Sequence, residues 1–99
     1  MTITGKGGVV VTNITLTEAF KKRYKKLPEE IKPLLAGKLD DLKKNPMPAG
    51  LRFEKLKGYT KPNIYTIHLT GNFKLSFELE GCNAILRNVG NHNEIDRKP

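Results

Sequence analysis

The sequence predicts an α+β domain in two layers, with an N-terminal strand and a helical hairpin laid over an antiparallel meander. Three observations carry that prediction. From Asn72 to Leu79, apolar Phe73, Leu75, Phe77 and Leu79 alternate with polar Asn72, Lys74, Ser76 and Glu78, which is the period of a half-buried strand. A similar alternation at Tyr65, Ile67 and Leu69 is joined to it through Thr70-Gly71-Asn72, and a further strand follows the turn at Glu80-Gly81. Ahead of these, Phe20, Tyr24 and Leu27 recur at helical spacing, and so do Ile31, Leu34, Leu35, Leu39 and Leu42, with Pro28 between the two sets.

Taken in order, residues 1–8 are small, polar and glycine-rich and read as a flexible tail, leaving 9–99 as one domain. Val9 to Thr17 is rich in β-branched residues and reads as the first strand. Thr17 is placed to cap the helix that follows, with Glu18 in its first turn favourable to the helix dipole. That helix runs to Leu27. Pro28 stops it and is expected in the first turn of a second helix, beside Glu29 and Glu30. Gly37 weakens the second helix slightly, and Asn45-Pro46-Met47-Pro48 ends it.

Leu51 to Leu56 then reads as a short strand, with Arg52 and Glu54 facing away from Leu51 and Phe53. A loop from Lys57 to Asn63 leads into the strands described above, and Gly90 ends the last of them. The order is β-α-α-β-β-β-β, with the apolar stripe of the hairpin covering the dry face of the sheet. The opposite face is expected to be wet. It would show His68, Lys74 and Ser76, together with Arg87, and His92 just past the strand end.

Ninety-nine residues suffice for one core. No run approaches the ~20 apolar residues of a membrane helix, and no signal-peptide pattern opens the chain. A cytoplasmic protein that does not engage membranes is the expectation. The single cysteine, Cys82, excludes an internal disulfide and a multi-cysteine zinc site. Eighteen basic residues against ten acidic ones give a formal charge of +8, which attracts polyanions. Lys21, Lys22, Arg23, Lys25 and Lys26 crowd the first helix, and Lys22 and Lys25 are candidate contacts to a nucleic-acid backbone.

The polar residues expected on one side of the sheet are Arg52, Glu54, Lys55, Lys57, His68, Lys74, Arg87 and His92. Carboxylates are too few for a magnesium site. Two histidines among lysines repel a zinc ion, and no phosphate loop precedes a helix, so no cofactor is expected. The set suits metal-free cleavage of RNA. That reaction needs a base for the 2′-hydroxyl proton, an acid for the leaving 5′-oxygen and cations where charge builds on the phosphate. The plainer alternative is that Glu54 pairs with a neighbouring lysine and both histidines are surface residues.

The run from Arg52 to His92 resembles the RelE/ParE superfamily of toxins from bacterial type II toxin–antitoxin systems. The most specific pieces are Leu56-Lys57-Gly58, Gly71-Asn72-Phe73-Lys74-Leu75 and Val89-Gly90-Asn91-His92, together with the helical start Phe20, Tyr24, Leu27 and Pro28. The likeness covers Ile14 to Arg97. It implies a strand, a helical hairpin and a meander, the order already read from the residues. RelE-like members cut messenger RNA, usually in the ribosomal A site, whereas ParE-like members poison DNA gyrase and lack the acid/base set.

This chain looks more like the ribonuclease side. The resemblance to the YoeB-like branch implies Glu54 as the base, with a basic residue at His68 and His92 as the acid. Many relatives have arginine at this last position. It also implies phosphate contacts from Lys55 and Lys57, and makes a cognate antitoxin, messenger RNA and the ribosome the partners. Relatives commonly carry a Tyr or Phe a few residues on, to stack on an RNA base; this chain has Ile95-Asp96-Arg97 and no aromatic after Phe77.

Three readings follow. The first is a ribonuclease toxin in which Glu54 or a nearby histidine is the base and His92 the acid, with Lys57, His68, Lys74, Arg87 and Arg52 at the phosphates; if not Glu54, the next candidates for the base are Lys57 and His68. The others are a ParE-like gyrase inhibitor and a catalytically weak protein that only binds its antitoxin.

Overall fold

The computed structural model describes residues 10–44, 48–60 and 62–99. The proposed tail at 1–8, and Asn45 to Met47 of the helix-ending segment, lie outside the described residues. The elements are β1 (Asn13–Leu16), α1 (Glu18–Lys25), α2 (Ile31–Leu42), a 3-10 turn at Ala49–Leu51, β2 (Glu54–Thr60), β3 (Asn63–His68), β4 (Phe73–Glu80), β5 (Asn83–Asn91) and α3 (His92–Arg97).

The five strands form one sheet in the order β1-β5-β4-β3-β2. β2 to β5 make the expected antiparallel meander, and β1 joins its edge parallel to β5, pairing Asn13 with Asn83 and Leu16 with Leu86. The first strand is shorter than the β-branched run suggests. Val11 is nonetheless buried, and the Thr12 amide donates to the Cys82 carbonyl at 2.8 Å.

The N-cap of α1 is as read from the sequence, because Thr17 Oγ1 accepts the Phe20 amide at 3.1 Å. The same hydroxyl donates to the Leu86 carbonyl at 2.8 Å, fixing the helix start over β5. Pro28 does not enter α2. Its carbonyl accepts the Ile31 amide at 3.0 Å in the turn before the helix, and Pro33 takes the first-turn position that proline tolerates. Leu34 is 43% exposed rather than in the core. At about 100° per residue, Leu35 and Leu42 fall within about 40° of Ile31, whereas Leu34 lies about 60° off on the other side.

The strand read at Leu51–Leu56 is displaced toward the C-terminus. Leu51 closes a 3-10 turn, Arg52 takes a left-handed φ of 53°, and β2 runs on through the segment expected to be a loop. Gly58, at φ 88°, sits where the β2–β3 register shifts, a conformation that a side chain would strain.

The core lies between the hairpin and one face of the sheet. Phe20, Leu27, Ile31, Leu35 and Leu42 meet Ile67, Leu75, Phe77, Ala84, Leu86 and Val89. Leu86 and Val89 share that face despite their odd spacing, because a bulge puts Ser76 opposite Asn88 but Phe77 opposite Leu86. One extra residue, Arg87, resets the alternation of β5.

The largest departure concerns the face expected to be wet. Lys74 is only 6% exposed, and Thr66 and Ser76 are fully buried. The chain does not end at the last strand. It turns into α3, whose Ile95 is buried, and α3 packs on β4 and β5. The helix starts with a capping box: Asn91 Oδ1 accepts the Glu94 amide at 2.9 Å, and Glu94 Oε1 accepts the Asn91 amide at 3.1 Å.

Candidate functional site

β3, β4 and the end of β5 are neighbours, and their register sets the site. His68 stands opposite Lys74, and Lys74 opposite Gly90. His92 follows two residues later as the first residue of α3, with its amide donating to the Asn72 carbonyl at 3.0 Å. The His68 and His92 rings meet edge to face, with centroids 4.7 Å apart and planes at 87°. His92 Nε2 is buried and has no hydrogen-bond partner among the described residues. That nitrogen is an unpaired polar atom at the edge of the histidine contact.

Lys74 lies under the pair. Its Nζ is 2.9 Å from Asp96 Oδ1 and 3.7 Å from Glu54 Oε1. Glu54 reaches it from β2, whose register pairs Glu54 with Thr66 in the row beside His68. Asp96 reaches it from α3, four residues after His92 and so on the same side of that helix. Arg52, just ahead of β2, keeps a backbone conformation uncommon outside glycine, and its charge is felt at His68.

Partial burial pushes the His68 pKa below its ordinary value, and the charges of His92, Lys74 and Arg52 push it further, with Glu54 opposing. Desolvation and like charge both penalise the imidazolium, so His68 is neutral at pH 7.

The structure therefore gathers Glu54, His68, Lys74 and His92, with Arg52 near them, and adds Asp96, which sequence reasoning noted only as the place where an aromatic is missing. Other candidates are elsewhere. Lys55 and Lys57 are exposed on β2 at positions of opposite parity to Glu54 and form no ion pair among the described residues. Arg87, the bulge residue, is bound to Glu78 and borders a cleft beside α1, together with Lys22. Lys25 borders a groove between the two helices of the hairpin. Among the described residues no group of three or more His, Cys, Asp or Glu side chains is arranged to hold a metal ion.

That second groove has a volume of about 500 Å³ and an apolar floor of Leu16, Phe20, Leu35 and Leu39, bordered by Lys21, Lys25 and Lys32. Leu16 is among the most exposed large apolar residues of the protein. No helix among the described residues is long and apolar enough to cross a membrane.

No protein-family model matches the sequence, and no curated protein matches it. Solved structures do. A chain of the RelB–RelE antitoxin–toxin complex of Methanococcus jannaschii shares 28% identity at a TM-score of 0.67, over 86% of this chain and 99% of that one. The RelE–RelB complex of Pyrococcus horikoshii matches at 0.64 with 15% identity, over 83% and 96%. Escherichia coli YafQ matches at 0.63 with 17% identity, over 84% and 96%. The mixed five-stranded sheet, the helical hairpin and the short terminal helix are the RelE-like fold, and the 28% identical match supports placing this chain in the RelE-like toxin superfamily.

Proposed function

We propose that the protein is the toxin of a type II toxin–antitoxin pair and that it cleaves messenger RNA in the ribosomal A site without a metal ion. The observation that carries the reading is the His68–His92 contact beside a buried ammonium. Two imidazoles in contact can act on one phosphodiester laid across the pair. His68, neutral at pH 7, takes the proton of the 2′-hydroxyl as that oxygen attacks phosphorus. His92 gives a proton to the departing 5′-oxygen, leaving a 2′,3′-cyclic phosphate and a free 5′-hydroxyl. Lys74 and Arg52 stabilise the charge that builds on the phosphate oxygens. Glu54, with its carboxylate 3.7 Å from the Lys74 ammonium, helps to hold that ammonium in place.

The partner is an antitoxin with an acidic, amphipathic segment, and the groove between α1 and α2 fits it. Apolar side chains would enter over Phe20 and Leu39 while carboxylates meet Lys21, Lys25 and Lys32. The groove supports that reading by the complementarity of its floor and border.

Programmed ribosomes treated with the purified protein in EDTA test the function. The expected products are transcripts cut at the A-site codon and ending in a cyclic phosphate. Intact transcripts together with loss of gyrase supercoiling activity would replace this reading with gyrase poisoning.

A further inference from the structure

We infer that the cleft between α1 and α3 is a second RNA subsite, which binds the sugar–phosphate backbone on the side of α3 away from the histidine pair. The identity of the ligand rests on the nuclease reading above.

The cleft encloses about 940 Å³ and is bordered by Lys22, Arg23 and Lys26 of α1, Arg87 of β5, and Arg97 and Lys98 at the end of α3. Two side-chain carboxylates, Glu78 and Glu94, also line it. Each already holds a guanidinium: Glu94 takes Arg23 at 2.7 Å, and Glu78 takes Arg87. Lys22, Lys26, Arg97 and Lys98 remain, exposed and with no carboxylate within 4 Å among the described residues. Four unneutralised cations around one concave surface concentrate positive potential there.

The short helix α3 separates the cleft from the histidines. His92 and Asp96, four apart, face the site, and Asp96 binds Lys74 there. Glu94 binds Arg23 on the cleft side, and Arg97, three residues on from Glu94, borders the same cleft. Six residues of helix span only about 9 Å. A strand whose scissile phosphate lies at the histidines therefore needs only a few nucleotides to pass over α3 and place its next phosphates among the four cations.

The lining favours a phosphate chain over an acidic protein segment. Exposed ion pairs contribute only about 0–1 kcal/mol each, so a protein segment needs apolar anchors. The groove between α1 and α2 has a floor of apolar side chains to supply them, whereas the apolar residues lining the α1–α3 cleft are, among the described residues, Ala19 and Pro99, and the rest of its apolar surface belongs to the stems of lysines and arginines whose charged ends stay in water. A nucleic-acid backbone binds such a surface by charge alone, through release of its counterions.

The test uses a 2′-O-methyl oligoribonucleotide, which cannot be cleaved, and follows binding by fluorescence anisotropy from low to high salt. The variant is Lys22→Gln/Lys26→Gln/Arg97→Gln, changed at exposed positions outside the ion pairs of the described residues, with an unchanged urea midpoint as the control for folding. At low salt the variant should bind at least about tenfold more weakly. Its plot of log affinity against log salt should be shallower by about two, since each phosphate neutralised on a single strand adds about 0.7 to the slope. An unchanged slope with wild-type RNA cleavage would overturn the subsite while leaving the nuclease reading intact. So would a variant that keeps its RNA affinity but loses affinity for the antitoxin. A wild-type protein that binds no RNA at any salt would overturn both.

Discussion

Lys74 Nζ lies 2.9 Å from the Asp96 carboxylate, a contact across twenty-two residues that ties α3 to the sheet at the floor of the histidine site. The ammonium is nearly buried, and Asp96 is its closest carboxylate, with Glu54 at 3.7 Å. Asp96→Asn removes the closer charge and should cost about 1–3 kcal/mol, measured as a lower urea midpoint. Lys74→Met in the same chain should recover part of that loss, because no unpaired ammonium is then left buried. A midpoint that Asp96→Asn does not move would mean that the pair does not hold α3 in place.

His68 titrates below the ordinary histidine value because folding desolvates it beside three cationic neighbours. The neutral ring is the favoured form in the folded protein, so the unfolded chain binds more protons as pH falls below about 6.5. The sign follows. The contribution of His68 to stability is fully present above about pH 6.5 and is lost as pH drops toward its lowered folded value. An NMR titration of the ring should place its midpoint below 6.5, and Lys74→Met should move it upward. A midpoint at or above 6.5 would remove the basis for His68 as the base.

The capping box orients His92, since Asn91 and Glu94 close the first turn of the helix that His92 begins. Asn91→Ala should cost about 1 kcal/mol of stability, read as a lower urea midpoint. It should also lower kcat for RNA cleavage more than it raises KM, because a frayed helix start misplaces the acid rather than the substrate. An effect confined to KM would contradict that role.

The period-two alternation of β4, the helical spacing of α1 and the cap at Thr17 were legible in the sequence because each is a local pattern with a local cause. So was the meander, and with it the approach of His68, Lys74 and His92, since tight turns leave neighbouring strands little choice of partner. What misled was long-range. Lys74 and Ser76 look solvent-facing on an alternating strand, and only α3, packed from sixteen or more residues further along the chain, buries them. The signal for α3 was present in Asn91-His92-Asn93-Glu94 followed by Ile95, a capping box before an apolar residue. The bulge at Arg87 left no such mark, and it moves that side chain to the α1 cleft. The left-handed turn at Arg52 likewise shifts the start of β2 with no glycine to announce it.

Association with the antitoxin should be governed by Lys21, Lys25 and Lys32 around an apolar floor. Charges at the border steer encounter, and buried anchors set the lifetime of the complex. Raising salt should therefore slow association markedly and leave dissociation nearly unchanged in stopped-flow binding. Replacing Leu39 with Asp should speed dissociation instead. An on-rate independent of salt, or an antitoxin segment without acidic excess, would contradict this picture.

The central claim is that the two imidazoles carry out acid–base cleavage without metal, and the single-turnover rate of His92→Ala in EDTA tests it most directly. His92 Nε2 has no hydrogen bond to lose among the described residues, so the variant gives up mainly the ring contact with His68 and should stay folded, at a cost of about 0.5–1.5 kcal/mol read from the urea midpoint. Its cleavage rate on ribosome-bound RNA should fall by about 10²–10⁴-fold, the usual contribution of a general acid. A folded His92→Ala protein that cleaves at the wild-type rate would contradict the account.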